Sequence, residues 1–160
     1  MTAIPMTNLR WCEIKYFKPK EFTFKGKDVS NEMDFCLINR LDQFREMVSK
    51  PIIIHSSYRE GDTRMHGTGE AVDIHIVGMN VFDAFLLAEK SGLFGGIGVY
   101  PNWNNPGLHL DIRQKPSRWG CWTPTDPKKK NIYVQLDSEF WKRYVREKMN
   151  DDRSDSKVSD

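Results

Sequence analysis

Met33, Leu37, Leu41, Phe44 and Val48 recur at helical spacing and Pro51 closes the pattern, which predicts an amphipathic helix ending just before that proline. A β-rich run at 52–54 follows and carries His55, Ser56, Ser57, Tyr58 and Arg59 to a strand end. A second helix is expected from Asn80, whose side chain can cap it, to near Gly92, burying Val81, Phe82, Phe85, Leu86 and Ala88. Three further strands are expected at 71–76, 97–100 and 108–112. Ser138 can cap a last helix burying Phe140, Trp141, Tyr144 and Val145, and the Pro- and Lys-rich stretch 119–130 reads as a loop. The order of elements predicts an α+β fold, with helices packed on an antiparallel-rich sheet. The polar, mixed-charge segment 150–160 has almost nothing to bury and reads as a disordered tail, leaving 1–149 as a single domain.

Composition narrows the function classes more than it names one. At 160 residues the chain fits one core and one main site, since domains usually hold about 100–150 residues. The 24 basic residues nearly balance 22 acidic ones, so the net charge of +2 provides no strong field for nucleic acid or anionic lipid. Cys12, Cys36 and Cys121 are too few and too widely spaced for a disulfide framework or a paired-cysteine zinc site, and are read as reduced structural cysteines. The opening residues, with Trp11, Glu13, Lys15 and Lys18, lack the apolar core of a signal peptide, and no run reaches the roughly 20 apolar residues of a membrane span. Synthesis in the cytoplasm, no nucleic-acid partner and a monomer are expected.

Candidate chemistry lies on two alternating segments. In 107–113, Leu108, Leu110 and Ile112 share one strand face while His109, Asp111 and Arg113 share the other. A solvated strand face fits this alternation too. In 71–76, Val72, Ile74 and Ile76 point one way, and Ala71, Asp73 and His75 the other. Upstream, Gly67 and Gly69 can turn the backbone tightly and bring His66 back over Asp73. Two imidazoles and one carboxylate suit zinc and leave its fourth position for water, which the metal can activate near neutral pH.

These residues resemble a known superfamily. Ser56-Ser57-Tyr58-Arg59, then His66 through Asp73 with glycines between, then Gly95-Gly96-Ile97-Gly98-Val99-Tyr100 and His109-Leu110-Asp111 follow the order found in zinc D-alanyl-D-alanine carboxypeptidases, phage L-alanyl-D-glutamate endopeptidases, D-Ala-D-Ala dipeptidases and related murein endopeptidases. Hedgehog signalling domains share that fold. The resemblance spans residues 33–119 and is closest to the single-domain murein peptidases, to which Phe17-Lys18-Pro19-Lys20-Glu21-Phe22 is also similar. It implies a hedgehog/DD-peptidase-like fold with a zinc cleft, one zinc held by His66, Asp73 and His109, and hydrolysis of peptide bonds in peptidoglycan. Phage-type lysis or wall remodelling is implied with it, the protein acting on the wall after release or as a virion component. A metal-containing wall-binding module that kept the fold and lost turnover is the alternative.

The resemblance also assigns roles. Arg59 matches the arginine that steadies substrate and developing oxyanion, and Ser57 and Tyr100 are further expected substrate contacts. Many relatives carry a catalytic Glu three residues before the last His, or a second His two before it, and here those places are Pro106 and Gly107. Asp111 is the nearest replacement, as base or as a group that orients His109. Glu70 is expected at the surface, His75 packed or solvated, His55 at a strand end, and Lys128, Lys129 and Lys130 on a solvated loop. Tyr100, Trp103, Trp119 and Trp122 either wall the cleft or pack, and packing is favoured for the tryptophans.

Overall fold

A computed structural model describes residues 2–155. A single helical turn, α1 (Asn8–Trp11), and a small hairpin of β1 (Thr23–Phe24) and β2 (Lys27–Asp28) precede the long helix α2 (Phe35–Val48). There follow β3 (Ile52–Ser56), β4 (Ala71–Ile76), α3 (Val81–Ser91), β5 (Gly96–Tyr100), β6 (Gly107–Asp111), β7 (Ser117–Trp122), β8 (Ile132–Gln135) and α4 (Ser138–Asp155). The six later strands form one sheet in the order β3-β4-β6-β5-β7-β8. β5 and β7 run parallel and the other neighbours antiparallel, so the sheet of this α+β protein is mixed.

Side-chain alternation divides that sheet into two faces with different duties. Val72, Ile74 and Ile76 of β4, Ile97 and Val99 of β5, and Leu108 and Leu110 of β6 are buried in one apolar cluster. Leu37, Ile38, Leu41, Phe44 and Val48 of α2 and Val81, Ala84 and Ala88 of α3 close that cluster from the helix side. The opposite face carries Asp73, His75, His109 and the glycines of β5. Pairing across strands then lines up one rung: Ser56 opposite Asp73, Asp73 opposite His109, His109 opposite Gly98, and Gly98 opposite Trp119. Residues distant in sequence meet because this register is fixed by burial of the other face.

Caps explain where the helices begin. Asp34 accepts from the Leu37 amide and from the Ile4 amide, so α2 starts at Phe35, slightly later than the apolar spacing predicts. Asn80 caps α3 through the Asp83 amide, and Gly92 ends it in the left-handed conformation, as the sequence indicates. The last helix is capped by Asp137, which accepts from the Phe140 amide, in place of the expected Ser138.

Other expectations need correction. Residues 119–122, read as loop, are the last four residues of β7: all four pair with β8, and Trp119 and Gly120 pair with β5 as well. Val145 and Leu86 are exposed, and Phe82 meets the Trp141 ring edge-on at 4.9 Å near the surface, not in the core. α4 continues through 150–155, six residues of the supposed disordered tail, because adding residues to an established helix is far cheaper than nucleating one. The remainder of that tail, 156–160, lies outside the described residues. Among the described residues no helix is long and apolar enough to cross a membrane.

Candidate metal centre

His66 enters the site from a turn of 3-10 helix, Met65–Thr68, packed beneath the start of β4. The turn ends on Gly69, whose φ of 72° favours glycine and whose missing Cβ would stand 2.0 Å from the Glu32 carbonyl oxygen. This close approach brings His66 over Asp73. The His66 side chain is buried, and its Nδ1 lies 2.7 Å from the Ser57 carbonyl oxygen. A carbonyl only accepts, so the ring proton belongs on Nδ1 and Nε2 carries the lone pair.

That lone pair points at Asp73. Nε2 is 3.3 Å from Asp73 Oδ1, yet it is buried and makes no hydrogen bond among the described residues. A buried acceptor left without a donor is costly unless something electrophilic occupies the space beside it. From the next strand His109 presents Nδ1 at 3.0 Å from the same Asp73 oxygen. One donor atom from each of His66, Asp73 and His109 falls within 4.8 Å of the others, and this buried group can hold a metal ion. Zinc bonds of about 2.0–2.1 Å place neighbouring ligands roughly 3.3 Å apart, close to the two carboxylate–imidazole separations found.

Behind His109 stands Asp111. Its Oδ2 accepts from His109 Nε2 at 2.9 Å, and the Arg113 guanidinium grips both carboxylate oxygens, with Nε at 2.9 and 3.0 Å and Nη2 at 2.5 Å. The Arg113 amide adds a further bond to Oδ1 at 3.0 Å. Asp111 is wholly buried and does not line the cleft. It therefore orients His109 from behind; with every oxygen engaged, it is not placed as the base that the missing Glu made it a candidate for. Room for it comes from β5, because a Cβ on Gly96 would lie 2.3 Å from each carboxylate oxygen.

Electrostatics follow this arrangement. Burial pushes the Asp73 carboxyl upward, but the contact with His109 and the adjacent His66 imidazole outweigh it and hold the group well below the usual carboxylate range. Asp111 is held low in the same way against its own burial, by His109 and Arg113. Burial pulls His109 down, and the two carboxylates flanking it more than reverse this, so its pKa is raised. An imidazole between two carboxylates attracts a cation, whether a proton or a metal ion.

The centre opens onto a cleft of about 820 Å³. Strand order sets its two flanks. Arg59, Asp62 and Arg64 follow β3 at one edge, and Tyr100, Trp119 and Tyr133 come from β5, β7 and β8 toward the other. Arg59 sits 3.3 Å from Asp62, its side chain 41% exposed, with a buried Nε that has no hydrogen-bond partner among the described residues. No family model and no curated protein matches this chain.

The remaining expected site residues divide. Tyr100 lines the cleft, its hydroxyl accepting from Trp119 Nε1 at 3.1 Å, and burial pushes its phenol up. Ser57 is buried and does not line the cleft; its carbonyl holds His66, and the neighbouring Ser56 faces the opening instead. Trp122 packs in the core as favoured, whereas Trp103 and Trp119 wall the cleft, Trp103 stacked on Tyr100 at 4.1 Å. Trp119, for which packing is favoured from the sequence, instead lies in the cleft over Gly98, its ring 5.3 Å from that of His109. Glycine at alternate positions of β5 was the available signal, since it leaves one strand face bare for large neighbours.

Proposed function

We propose that the protein is a zinc-dependent peptidase acting on the stem or cross-bridge peptides of peptidoglycan, in phage-type lysis or wall remodelling. The observation that carries this reading is the buried, unbonded His66 Nε2 converging with Asp73 and His109 at the floor of an open cleft. The order of motifs shared with murein peptidases supports the substrate class. Zinc, when bound, would supply an activated water and polarise the scissile carbonyl.

The chain's own residues do the rest. His66 and His109 are each fixed by a bond from the ring nitrogen that faces away from Asp73, so the ligand set is preorganised. Arg59 offers a cationic fork at the cleft wall, suited to a substrate carboxylate or a developing oxyanion. Tyr100, Trp103 and Trp119 give the opposite wall flat apolar surface and exclude water from the peptide.

Arg59→Ala should lower the single-turnover rate while zinc content and folding stay as in the wild type. A donor acting on developing charge is worth about 3 kcal/mol, and the half-exposed position reduces this to about 2 kcal/mol, or roughly 30-fold. Unchanged kinetics would make the Arg59–Asp62 pair purely structural.

One observation favours the second reading, a wall-binding module without turnover: Asp111, the carboxylate nearest the vacant family position, faces away from the cleft. Zymography on purified peptidoglycan separates the two. A peptidase clears the gel, stops on chelation and recovers with added zinc, whereas a binding module is retained by the wall and never clears it.

A further inference from the structure

We infer that His55 and His75 form a second, separate site for a borderline divalent transition-metal ion at the rim of the cleft. The chain has only four histidines. All four lie on the same side of the sheet; His66 and His109 belong to the first centre, and the other two face each other. His55 Nε2 is 2.5 Å from His75 Nδ1, and the rings are stacked at 4.8 Å with their planes 22° apart.

Alternation from the buried Ile52 already puts His55 on the face that Ile53 shares with His75, and the backbone then adds an irregularity. β3 and β4 pair in regular register from Ile52 opposite Ile76 to Ile54 opposite Ile74, after which Ser56, not His55, pairs with Asp73. His55 is the extra residue of a β-bulge, a device that re-aims side chains beside sites. As a result the consecutive residues His55 and Ser56 both line the cleft. His75, two residues along β4 from Asp73, lines the smaller groove beside it, and Asn105 borders both openings. The pair therefore stands on the saddle between the two.

Two imidazole nitrogens this close hold at most one proton between them, and among the described residues no carboxylate or cation stands between the rings to hold them in this pose. Neutral imidazoles with converging lone pairs are ligands, and their softness selects zinc, nickel or copper(II) over magnesium or calcium. His55 is exposed and His75 half-buried, so rotating the rings to widen the gap to roughly 3 Å, as metal–nitrogen bonds of about 2.0–2.1 Å require, disturbs no core packing. Water would complete the coordination shell.

Nickel(II) titration of the metal-free protein, followed by calorimetry, tests this assignment. The wild type should bind two equivalents, the tighter at His66, Asp73 and His109. His55→Gln and His75→Gln should each lose the weaker equivalent and keep the tighter one, which also reports that the variant is folded. His66→Ala should show the reverse. A wild type that binds one equivalent, lost in His66→Ala, overturns the second site while leaving the first intact. A weak equivalent that survives both glutamine substitutions sits elsewhere, the exposed Cys12 thiol included, and overturns it equally. Failure of the first centre reads differently, as loss of the tight equivalent from the wild type with the weak one retained.

Discussion

His109→Ala should leave the protein without bound zinc and without hydrolytic activity, and His66→Ala should do the same by a different structural route. Loss of a hydrogen-bond partner behind a ligand already costs about 10- to 100-fold in metal affinity, so loss of the ligand itself should cost at least about 1,000-fold. The secondary consequences differ. Without His109, Asp73 and Asp111 both lose a 3 Å-class partner, and two carboxylates with little exposure are left facing each other's field. Without His66, the uncompensated group is the Ser57 carbonyl, a neutral acceptor. His109→Ala should therefore melt at the lower temperature of the two in the presence of chelator. Elemental analysis beside circular dichroism checks both parts. Full zinc occupancy in either variant would remove that residue from the ligand set, and with it the basis of the peptidase reading.

Much of this centre was readable along the chain because strand alternation is a local property. Val72, Ile74 and Ile76 on one side fix Asp73 and His75 on the other, and Leu108 and Leu110 do the same for His109 and Asp111. The pairing that puts Asp73 opposite His109 is non-local, and only the shared ligand chemistry linked them in advance. Contributions from backbone are hidden altogether: the Ser57 carbonyl that selects the His66 tautomer leaves no trace in residue type, and the sequence points only to the serine side chain. β7 is obscured by its flanks, Pro116 before it and Pro124 after it, which read as loop although Trp119 and Gly120 pair on both sides. The bulge at His55 brings Ser56 onto the cleft face by inserting one residue, and nothing in the run Ile52, Ile53, Ile54 announces it.

Asp111→Asn should weaken zinc binding by about 10- to 100-fold and cost about 2 kcal/mol of stability, while the rate at saturating zinc stays near the wild type. The carboxylate accepts from His109 Nε2 and from three donor groups of Arg113, whereas an amide turns one acceptor position into a donor facing donors. His109 then loses the partner that keeps its proton on Nε2 and its Nδ1 lone pair toward Asp73. The stability cost stays moderate because the Arg113 side chain is 34% exposed and can regain water. Gly96→Ala approaches the same carboxylate from β5, with a Cβ that would lie 2.3 Å from both oxygens, and should reproduce the loss of zinc affinity with Asp111 itself unchanged. A base would behave otherwise: Asp111→Asn would keep zinc and lose its single-turnover rate at any zinc concentration, and Gly96→Ala would track it in rate rather than in affinity. Measuring zinc affinity and single-turnover rate on one preparation of each variant decides between orientation and proton transfer, and the four donors engaged by the buried Asp111 carboxylate favour orientation.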